Sequence, residues 1–456
     1  MQTDNAVTST KPAPTLNRRY LLRAAATAVG ATAAATKLPA ATTTAGAKRW
    51  GMPAIRQQAS LVFAINDSET AKIQPLVDEY ASQQKISIAL QPSPYASLLE
   101  KLTINLTQAT GAYDLVSIDD PWVPLFAGGE YLTNLQTLFD DRGVSLDPEF
   151  IPEFVALGDF PAGSGLRALP WIGNVQVFAW RNDILQGLGL AAPTTWDDVV
   201  AIAETVTKER SATGVYGFGL RGQTGNPAAT SFLPVLRGYG TDLFNEAWEP
   251  QLDTALALQA LTTHLALAQL APPGVGNVGH LENGMHLADG SIAQSADIWP
   301  DQLLVQPNLA TPQVASQIEI SAQPAQPSLA PMTMSGNWLL GIPEGSQQTE
   351  AALEFMLWLT APEQQRRLLI DHSLPATRVS VYQDADAIAT FPFLPSLLEA
   401  GRKAVPRPRT PHYNAVEVIF GGYLSRAMTG QMNGEHALLT ANAEIRAYLT
   451  REGVLK

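Results

Sequence analysis

The segment Tyr113-Asp114-Leu115-Val116-Ser117-Ile118-Asp119-Asp120-Pro121-Trp122 places an apolar run directly before two acids, a proline and a tryptophan. The apolar run predicts a buried strand, and the polar end predicts a loop at its carboxyl terminus. Apolar runs at 61–65 and 86–90 precede it, and each is followed by a helix-period segment. This alternation predicts a βαβαβ unit with parallel strands. Ligands of such sheets bind beyond the carboxyl ends of the strands, where Asp67 and Asp120 fall.

The composition of the chain excludes several classes of protein. Its 456 residues are 46% hydrophobic, enough for roughly two or three folded domains, and its formal net charge is −13. That acidic balance argues against a nucleic-acid partner, because phosphate backbones are bound through positive charge. The chain has no cysteine. Disulfides, iron–sulfur clusters, thiolate zinc sites and cysteine nucleophiles are therefore excluded, as is the acylated cysteine of a lipoprotein.

Residues 1–47 have the pattern of an export signal. Asn17-Arg18-Arg19-Tyr20-Leu21-Leu22-Arg23 precedes an alanine-rich run at 24–36, and Ala45-Gly46-Ala47 fits a small-x-small cleavage site. The paired arginines resemble a twin-arginine signal, although a chance pair in an alanine-rich N-terminus gives the same pattern. The run is too short and too poor in leucine to span a bilayer. We therefore expect a soluble, exported protein.

Short motifs occur in a characteristic order over about residues 58–390. The series starts with the Tyr113–Trp122 segment. It continues with Phe126-Ala127-Gly128-Gly129, Ala168-Leu169-Pro170-Trp171-Ile172-Gly173-Asn174, Trp180-Arg181-Asn182-Asp183, Ala192-Pro193-Thr194-Thr195-Trp196-Asp197-Asp198, Tyr216-Gly217-Phe218-Gly219-Leu220-Arg221-Gly222, Trp299-Pro300-Asp301, Gly336-Asn337-Trp338-Leu339-Leu340-Gly341-Ile342-Pro343 and Pro375-Ala376-Thr377-Arg378. Each motif is weak by itself. In this order they resemble extracellular solute-binding protein family 1, the sugar-binding receptors of ABC importers that include maltose-binding protein.

The resemblance implies an α/β, two-lobed periplasmic-binding-protein fold of the class II type, with the ligand in the cleft between the lobes. By analogy, lobe 1 takes residues 58–170 and 302–376, and lobe 2 takes residues 171–301 and 377–456. Such lobes close around a ligand by hinge motion at a few segment ends. The three crossings between the lobes are expected near Pro170, Pro300 and Thr377.

The resemblance also implies a function. We expect a monomeric periplasmic receptor, without lipid anchor or catalytic activity, that delivers a carbohydrate or sugar alcohol to the membrane permease of an ABC importer. Two alternatives stay open: a polyamine receptor of the same fold, and a secreted glycoside hydrolase. The chain departs from the family pattern at Gly336-Asn337, where Gly-Gly is expected before Trp338, and at Ala296-Asp297-Ile298 before Trp299. One ligand contact is therefore expected to be specific to this protein.

Tryptophans beside short polar residues are the strongest chemical signal for a sugar ligand. A pyranose has an apolar C–H face and a rim of hydroxyls, so its site needs flat aromatic surfaces and fixed hydrogen-bonding groups. The alternative for any one tryptophan is a role in packing. The candidate ligand-binding residues of this kind are Trp122, Trp171, Trp299 and Trp338, with Asp120, Asn174, Asp301 and Asn337 beside them.

Two arginines and one asparagine complete the candidate site. Arg221 and Arg378 could each hold a hydroxyl through the guanidinium fork, or could instead bridge the lobes through a carboxylate. Asn226 could bind adjacent hydroxyls through its amide, or could serve in a turn.

Asp119 and Asp120 raise the possibility of a glycosidase, which needs two carboxylates flanking one bond. Neighbours in an extended segment point to opposite sides, so we expect Asp120 to accept hydrogen bonds from hydroxyls and Asp119 to cap a turn.

Other chemistries lack a motif. The six histidines show no HExxH spacing, and neither a GxSxG elbow nor a GxxxxGK phosphate loop is present. We therefore expect no catalytic residues, no metal and no cofactor.

Overall fold

The computed structural model describes residues 59–305 and 316–456, so the predicted export signal lies outside the described residues. The strands are β1 (Ser60–Asn66), β2 (Ser87–Ser93), β3 (Leu115–Asp119), β4 (Ala168–Ile172), β5 (Val175–Arg181), β6 (Gln294–Ile298), β7 (Ile318–Ser321), β8 (Thr333–Ser335), β9 (Trp338–Gly341) and β10 (Ala404–Val405). They form two sheets, one at the centre of each lobe.

The helices cover the faces of these sheets. They are α1 (Asp67–Gln84), α2 (Tyr95–Thr107), α3 (Val123–Gly128), α4 (Leu135–Asp141), α5 (Pro152–Ala156), α6 (Asn182–Gly187), α7 (Trp196–Arg210), α8 (Asn226–Gly238), α9 (Ala255–Gln269), α10 (His280–Asp289), α11 (Pro300–Leu304), α12 (Thr349–Leu359), α13 (Pro362–His372), α14 (Val379–Tyr382), α15 (Ala385–Thr390), α16 (Leu394–Arg402), α17 (Tyr413–Met428) and α18 (Gly434–Arg451). Short 3₁₀ turns occur at Asp120–Trp122, Ser211–Thr213 and Val275–Asn277.

The sheet of lobe 1 confirms the predicted βαβαβ unit. Its strand order is β2-β1-β3-β9-β4, and β1 pairs in parallel with both β2 and β3. Strand β9 lies antiparallel between β3 and β4. The carboxyl end of β3 therefore lies beside the start of β9, with Asp119 opposite Trp338 in the register.

Helix α1 shows how local sequence builds this lobe. Asn66 ends β1 and caps the helix, because its side-chain oxygen accepts a hydrogen bond from the Ser68 amide at 3.1 Å. Ile73, Val77 and Tyr80 recur at helical spacing and are fully buried against the sheet. The burial of each large apolar side chain stabilises the folded protein by about 1.5–3 kcal/mol. This packing holds the first turn of α1 at the carboxyl edge of the sheet.

The sheet of lobe 2 has the order β10-β8-β5-β6, and β7 pairs with β5. This differs from the expected lobe boundaries, which placed residues 302–376 in lobe 1. Strands β7 and β8 both lie within that range, yet both pair antiparallel with β5 of the second sheet. Their sequence has little periodicity, and the pairing depends on a strand more than a hundred residues away. Among the described strands, the return to sheet 1 therefore occurs between Ser335 and Trp338.

The segments near Gly173 and Thr377 are tied together where β4 of one sheet gives way to β5 of the other. The Gly173 amide donates to the carbonyl of Pro375 at 2.9 Å, and the Thr377 hydroxyl donates to the carbonyl of Pro170 at 3.3 Å. Gln365 of α13 accepts from the Thr377 amide at 2.8 Å. The chain near Pro170 and the chain near Thr377 therefore lie side by side where the first passes from one sheet to the other.

Candidate functional site

Two acids begin the site at the carboxyl end of β3. Asp119 caps the following 3₁₀ turn, because its Oδ1 accepts from the Asp120 amide at 2.9 Å, as predicted. Both side chains then accept from Nη2 of Arg407, at 2.6 Å for Asp119 and 2.9 Å for Asp120. The expectation that the two carboxylates point to opposite sides is therefore wrong. The extended chain ends at Asp119, and the turn brings both acids to one cation.

Arg407 joins the two lobes. It follows β10 of the second sheet, whereas both acids belong to the first. Arg237 of α8 holds this segment in lobe 2 by donating to the carbonyls of Val405 and Pro406 at 3.3 and 2.9 Å. Arg409 continues the contact, since it donates to the carbonyl of Asp120 at 3.3 Å.

The charges at this contact are buried and interdependent. Asp120 is 1% exposed. Burial raises the pKa of Asp120 to about 7; Arg407 opposes that rise and Asp119 adds to it. Burial also raises the pKa of Glu417 on α17 of lobe 2, which lies near both Arg407 and Asp119. Three buried carboxyl groups, those of Asp119, Asp120 and Glu417, therefore lie close to Arg407.

Three aromatic rings lie next to these acids. The centroid of Tyr95 is 4.8 Å from that of Trp122 and 6.0 Å from that of Trp338, and the two tryptophans are 5.6 Å apart. Tyr95 also donates its hydroxyl proton to Oδ2 of Asp119 at 2.7 Å. Because α2, the 3₁₀ turn and β9 each supply one ring, the three meet only when the sheet has formed.

Gly336 and Asn337 form the link from β8 to β9. A Cβ on Gly336 would lie 2.0 Å from Cζ3 of Trp299, so only glycine allows this close approach. The backbone of Asn337 is paired with Asp120: its amide donates to Oδ2 at 3.2 Å and its carbonyl accepts from the Asp120 amide at 2.9 Å. The Asn337 side chain is fully buried, and neither amide atom has a hydrogen-bond partner among the described residues. Such a group is normally satisfied by a ligand or water.

The lobe 2 side contains an internal network around Asp297. Arg221 makes a forked contact with this carboxylate, with Nε at 2.6 Å and Nη2 at 2.9 Å. Trp299 and Gln176 also donate to Oδ1 of Asp297, at 2.9 and 2.6 Å. Arg221 therefore binds the same carboxylate as Trp299 and holds Trp299 in place through Asp297.

Asn226, another candidate residue, donates its side-chain amide to Glu417 at 3.0 Å.

Glu69 and Asp301 form a second pair of neighbouring acids, Glu69 in the first turn of α1 in lobe 1 and Asp301 on α11 in lobe 2. Glu69 is 7% exposed, accepts from the Ser68 hydroxyl at 2.6 Å, and has its other oxygen buried with no partner among the described residues. Burial raises the pKa of Glu69 to about 8, and Asp301 adds to the rise. Asp301 contacts His280 at 2.8 Å. Burial acts to raise the pKa of Asp301, but His280 and Lys72 more than offset it and bring the value to about 2.

Of the other candidate residues, Asn174 lies beside Gly336, whereas Trp171, Arg378 and Asp67 are placed elsewhere. Trp171 is fully buried in the lobe 1 core and donates to the Ser117 hydroxyl at 3.1 Å. The guanidinium carbon of Arg378 lies 3.6 Å from the ring centroid of Phe150, and its Nη1 lies 2.6 Å from Oδ2 of Asp147. Asp67 is exposed at the first position of α1. Asn174 is half-buried, and its carbonyl accepts from Gly336 at 3.0 Å.

Sequence reasoning missed several residues of the cleft. They are Glu69, Tyr95, Arg407, Arg409 and Glu417. One available signal was Pro406-Arg407-Pro408-Arg409, since prolines hold a segment extended and present the arginines between them. Glu417 and Tyr95 carry no such signal, because each stands in an ordinary helical pattern.

Within 59–305 and 316–456, no group of three or more His, Asp or Glu side chains is placed to hold a metal ion. No helix in this part of the chain is both long and apolar enough to cross a membrane.

The fold and the cleft define a two-lobed solute-binding protein. The family model for bacterial extracellular solute-binding proteins matches residues 66–366, and the chain belongs to that family. Among curated relatives, the mannitol-binding protein of Pseudomonas aeruginosa is 26% identical over 385 residues, covering 79% of this chain and 85% of the relative. A probable amino-acid ABC transporter periplasmic-binding protein of Sinorhizobium fredii is 24% identical over 376 residues, covering 79% and 82%.

Solved structures support the same fold. A solute-binding protein of Agrobacterium radiobacter K84 in complex with ribitol has a TM-score of 0.79 at 24% identity, covering 87% of this chain and 100% of that one. One from Agrobacterium vitis S4 with bound D-mannitol has a TM-score of 0.77 at 23% identity, covering 87% and 99%. Both likenesses extend over the two lobes, and the predicted fold class is confirmed.

Proposed function

We propose that the protein is the substrate-binding protein of an ABC importer and captures a polyol or sugar between its lobes. The observation that carries this proposal is the fully buried Asn337 amide, unpartnered beside Asp120 and the rings of Trp122 and Trp338. A buried amide without partners costs about 1–3 kcal/mol, which a bound hydroxyl group would recover.

The chemistry around Asn337 suits a polyhydroxyl ligand. Aromatic rings provide surface for C–H groups, and an amide can donate to one hydroxyl while accepting from the next. Asp119 and Asp120 supply further acceptor oxygens, and Nε of Arg407 is buried without a partner among the described residues. Trp299, packed on Gly336, is proposed as the lobe 2 contact.

A neutral ligand is favoured over a polyamine. Arg407 already occupies the two acids at the end of β3, and Arg409 lies beside them. Burial raises the pKa of Glu69 and Glu417, which favours their uncharged forms. A cation would have to displace Arg407 from a buried pair, at considerable cost. The mannitol-binding relative and the ribitol-bound structure described above support the same ligand class.

A glycoside hydrolase is disfavoured by the arrangement of the same acids. Catalysis needs one carboxyl on each side of the scissile bond. Asp119 and Asp120 instead converge on one nitrogen of Arg407. The family consists of binding proteins, and we propose that this member has no catalytic step.

Ligand capture would work by a shift in population. A ligand that contacts groups from both lobes binds the closed form more tightly and moves the equilibrium toward it. The closed form would then be recognised by the permease. We propose a monomer that acts in the periplasm.

Calorimetry tests the proposal directly. Purified protein is titrated with D-mannitol, ribitol, maltose, D-tagatose and spermidine, and any ligand bound is checked for chemical change. We expect binding of at least one polyol or sugar, recovered intact. Binding of spermidine alone, or cleavage of the sugar, would contradict the proposal.

Variants of two buried asparagines separate binding from folding. Asn337→Ala removes an unpartnered amide, so we expect affinity for the bound polyol or sugar to fall about 10- to 100-fold while ligand-free stability does not fall. Asn442→Ala is the matched control, because Asn442 is also buried but accepts from the Leu252 amide at 2.9 Å. It should lose stability and keep its affinity. Equal affinity in the wild type and Asn337→Ala would overturn the assignment.

A further inference from the structure

Glu69 has an arrangement that the proposed function does not explain. It lies in the first turn of α1, one residue after Ser68, at the carboxyl edge of the lobe 1 sheet. One of its oxygens accepts from the Ser68 hydroxyl at 2.6 Å, and the other is buried with no partner among the described residues. A charged carboxylate in this position would lose hydration at both oxygens and regain a hydrogen bond at only one of them, whereas a protonated carboxyl loses much less.

The groups facing Glu69 come from both lobes. On its own helix, Lys72 favours the charged form and Asp67 opposes it. From α11, Asp301 opposes it as well, and Asp301 stays charged through its contact with His280 at 2.8 Å. Oδ1 of Asp301 is likewise buried without a partner among the described residues. In this structure an ionised carboxylate from lobe 2 therefore lies near the buried Glu69.

We propose that closure of the lobes takes up one proton on Glu69, so that capture of the ligand is linked to pH. This inference rests on the proposed function, since the ligand is what drives closure. In the open form Glu69 is a solvated carboxyl of ordinary acidity. In the closed form the carboxyl is protonated, and the free oxygen can donate a hydrogen bond to a ligand oxygen.

The sign of the effect follows from linkage. Burial raises the pKa of Glu69 from 4.5 to about 8 in this structure, in which Arg407 joins the two lobes. The closed form therefore binds more protons than the open form between these two values, and raising the pH disfavours it. Ligand affinity should be greatest below about pH 5 and fall, by at most about tenfold per pH unit, until about pH 8.

Calorimetry with the polyol or sugar that binds best, D-mannitol in the first instance, measures the proton directly. Titrations at pH 7 in phosphate and in Tris differ in heat by the number of protons taken up multiplied by the difference in buffer ionisation heat. We expect Glu69→Gln, whose amide resembles the neutral carboxyl, to take up close to one proton fewer than the wild type. The affinity of the variant should also fall less steeply than that of the wild type from pH 5 to pH 8.

Glu354→Gln is the matched control. Burial also raises the pKa of Glu354, but this residue lies on α12 near Tyr80, within lobe 1, so lobe closure does not change its surroundings. This variant should keep the proton uptake and the pH slope of the wild type. Equal uptake in the wild type and Glu69→Gln, or no uptake in either, would overturn the inference.

The same titrations separate this inference from the proposed function. If a polyol or sugar binds and the heats in phosphate and in Tris show no proton uptake, the proposed function stands and the inference about Glu69 fails. If no polyol or sugar binds, the proposed function fails and this inference fails with it.

Discussion

Replacing Arg407 with methionine tests whether one buried cation holds the lobes together. The Arg407 side chain is 3% exposed, and those of Asp119 and Asp120 are 5% and 1% exposed. Methionine fills a similar space but leaves both acids without their cation. Removing one partner of a buried ion pair costs about 3–5 kcal/mol, because the remaining charge stays buried and unpaired.

The cost should depend on pH. Burial already raises the pKa of Asp120 to about 7 while Arg407 acts to lower it, so the pKa rises further in the variant. A carboxyl with a raised pKa favours the folded state when protonated, and that contribution is lost as the pH rises through the folded-state value. We therefore expect Arg407→Met to be destabilised less at pH 5 than at pH 8.

Urea unfolding at the two pH values measures the stability, and small-angle scattering reports opening of the lobes. Arg402→Met is the control, since Arg402 pairs with Glu399 and both side chains are about half exposed, at 43% and 59%. A surface pair of this kind contributes about 0–1 kcal/mol. Adding Asp120→Asn to Arg407→Met should restore part of the loss, because it removes one unpaired charge.

The reasoning fails if the free energy of unfolding of Arg407→Met at pH 8 is within about 1 kcal/mol of the wild-type value and its radius of gyration is the same. It also fails if Arg402→Met is equally destabilised. A variant that does not fold alone but folds with Asp120→Asn would support the reasoning.

Two further predictions concern single buried positions. Gly336→Ala should be destabilised by about 1–3 kcal/mol in urea unfolding, because the new methyl group would lie 2.0 Å from the Trp299 ring. Gly422→Ala is the control and should be neutral or stabilising, because Gly422 lies in open helical surroundings. Equal changes in unfolding free energy for the two variants would contradict this prediction. His264 is buried in lobe 2 and burial lowers its pKa to about 4, so stability should be lost as the pH falls from about 6.5 toward 4, by up to about 3 kcal/mol. Unfolding of His264→Phe across that range should show a smaller loss, while His436→Gln, at an exposed position, should match the wild type.

The sequence was sufficient for much of the fold. Apolar runs separated by helix-period segments gave β1, β2 and β3 with their parallel pairing, since hydrophobic spacing and short right-handed crossovers leave few alternatives. The polar end of β3 also indicated where a ligand would lie. Strands β7 and β8 were misplaced because their partner, β5, is distant along the chain and their own residues have no clear period.

The candidate site could be predicted only in part. Asp120, Trp122, Asn337 and Trp338 do meet at one edge of the lobe 1 sheet, because strand ends converge there by topology. Trp171 shows the limit of the pattern, since a tryptophan beside a polar residue can equally fill a core.

The sequence by itself determined the family, the alternation of strands and helices, and the edge of the sheet that carries the acids. Only the tertiary structure decided which charges face one another. Arg407 reaches Asp119 and Asp120 across 288 and 287 positions of sequence, and Asp301 approaches Glu69 from the other lobe. The physical reason is that local spacing controls which face of an element is buried, whereas the pairing of buried charges depends on how two separately formed lobes meet.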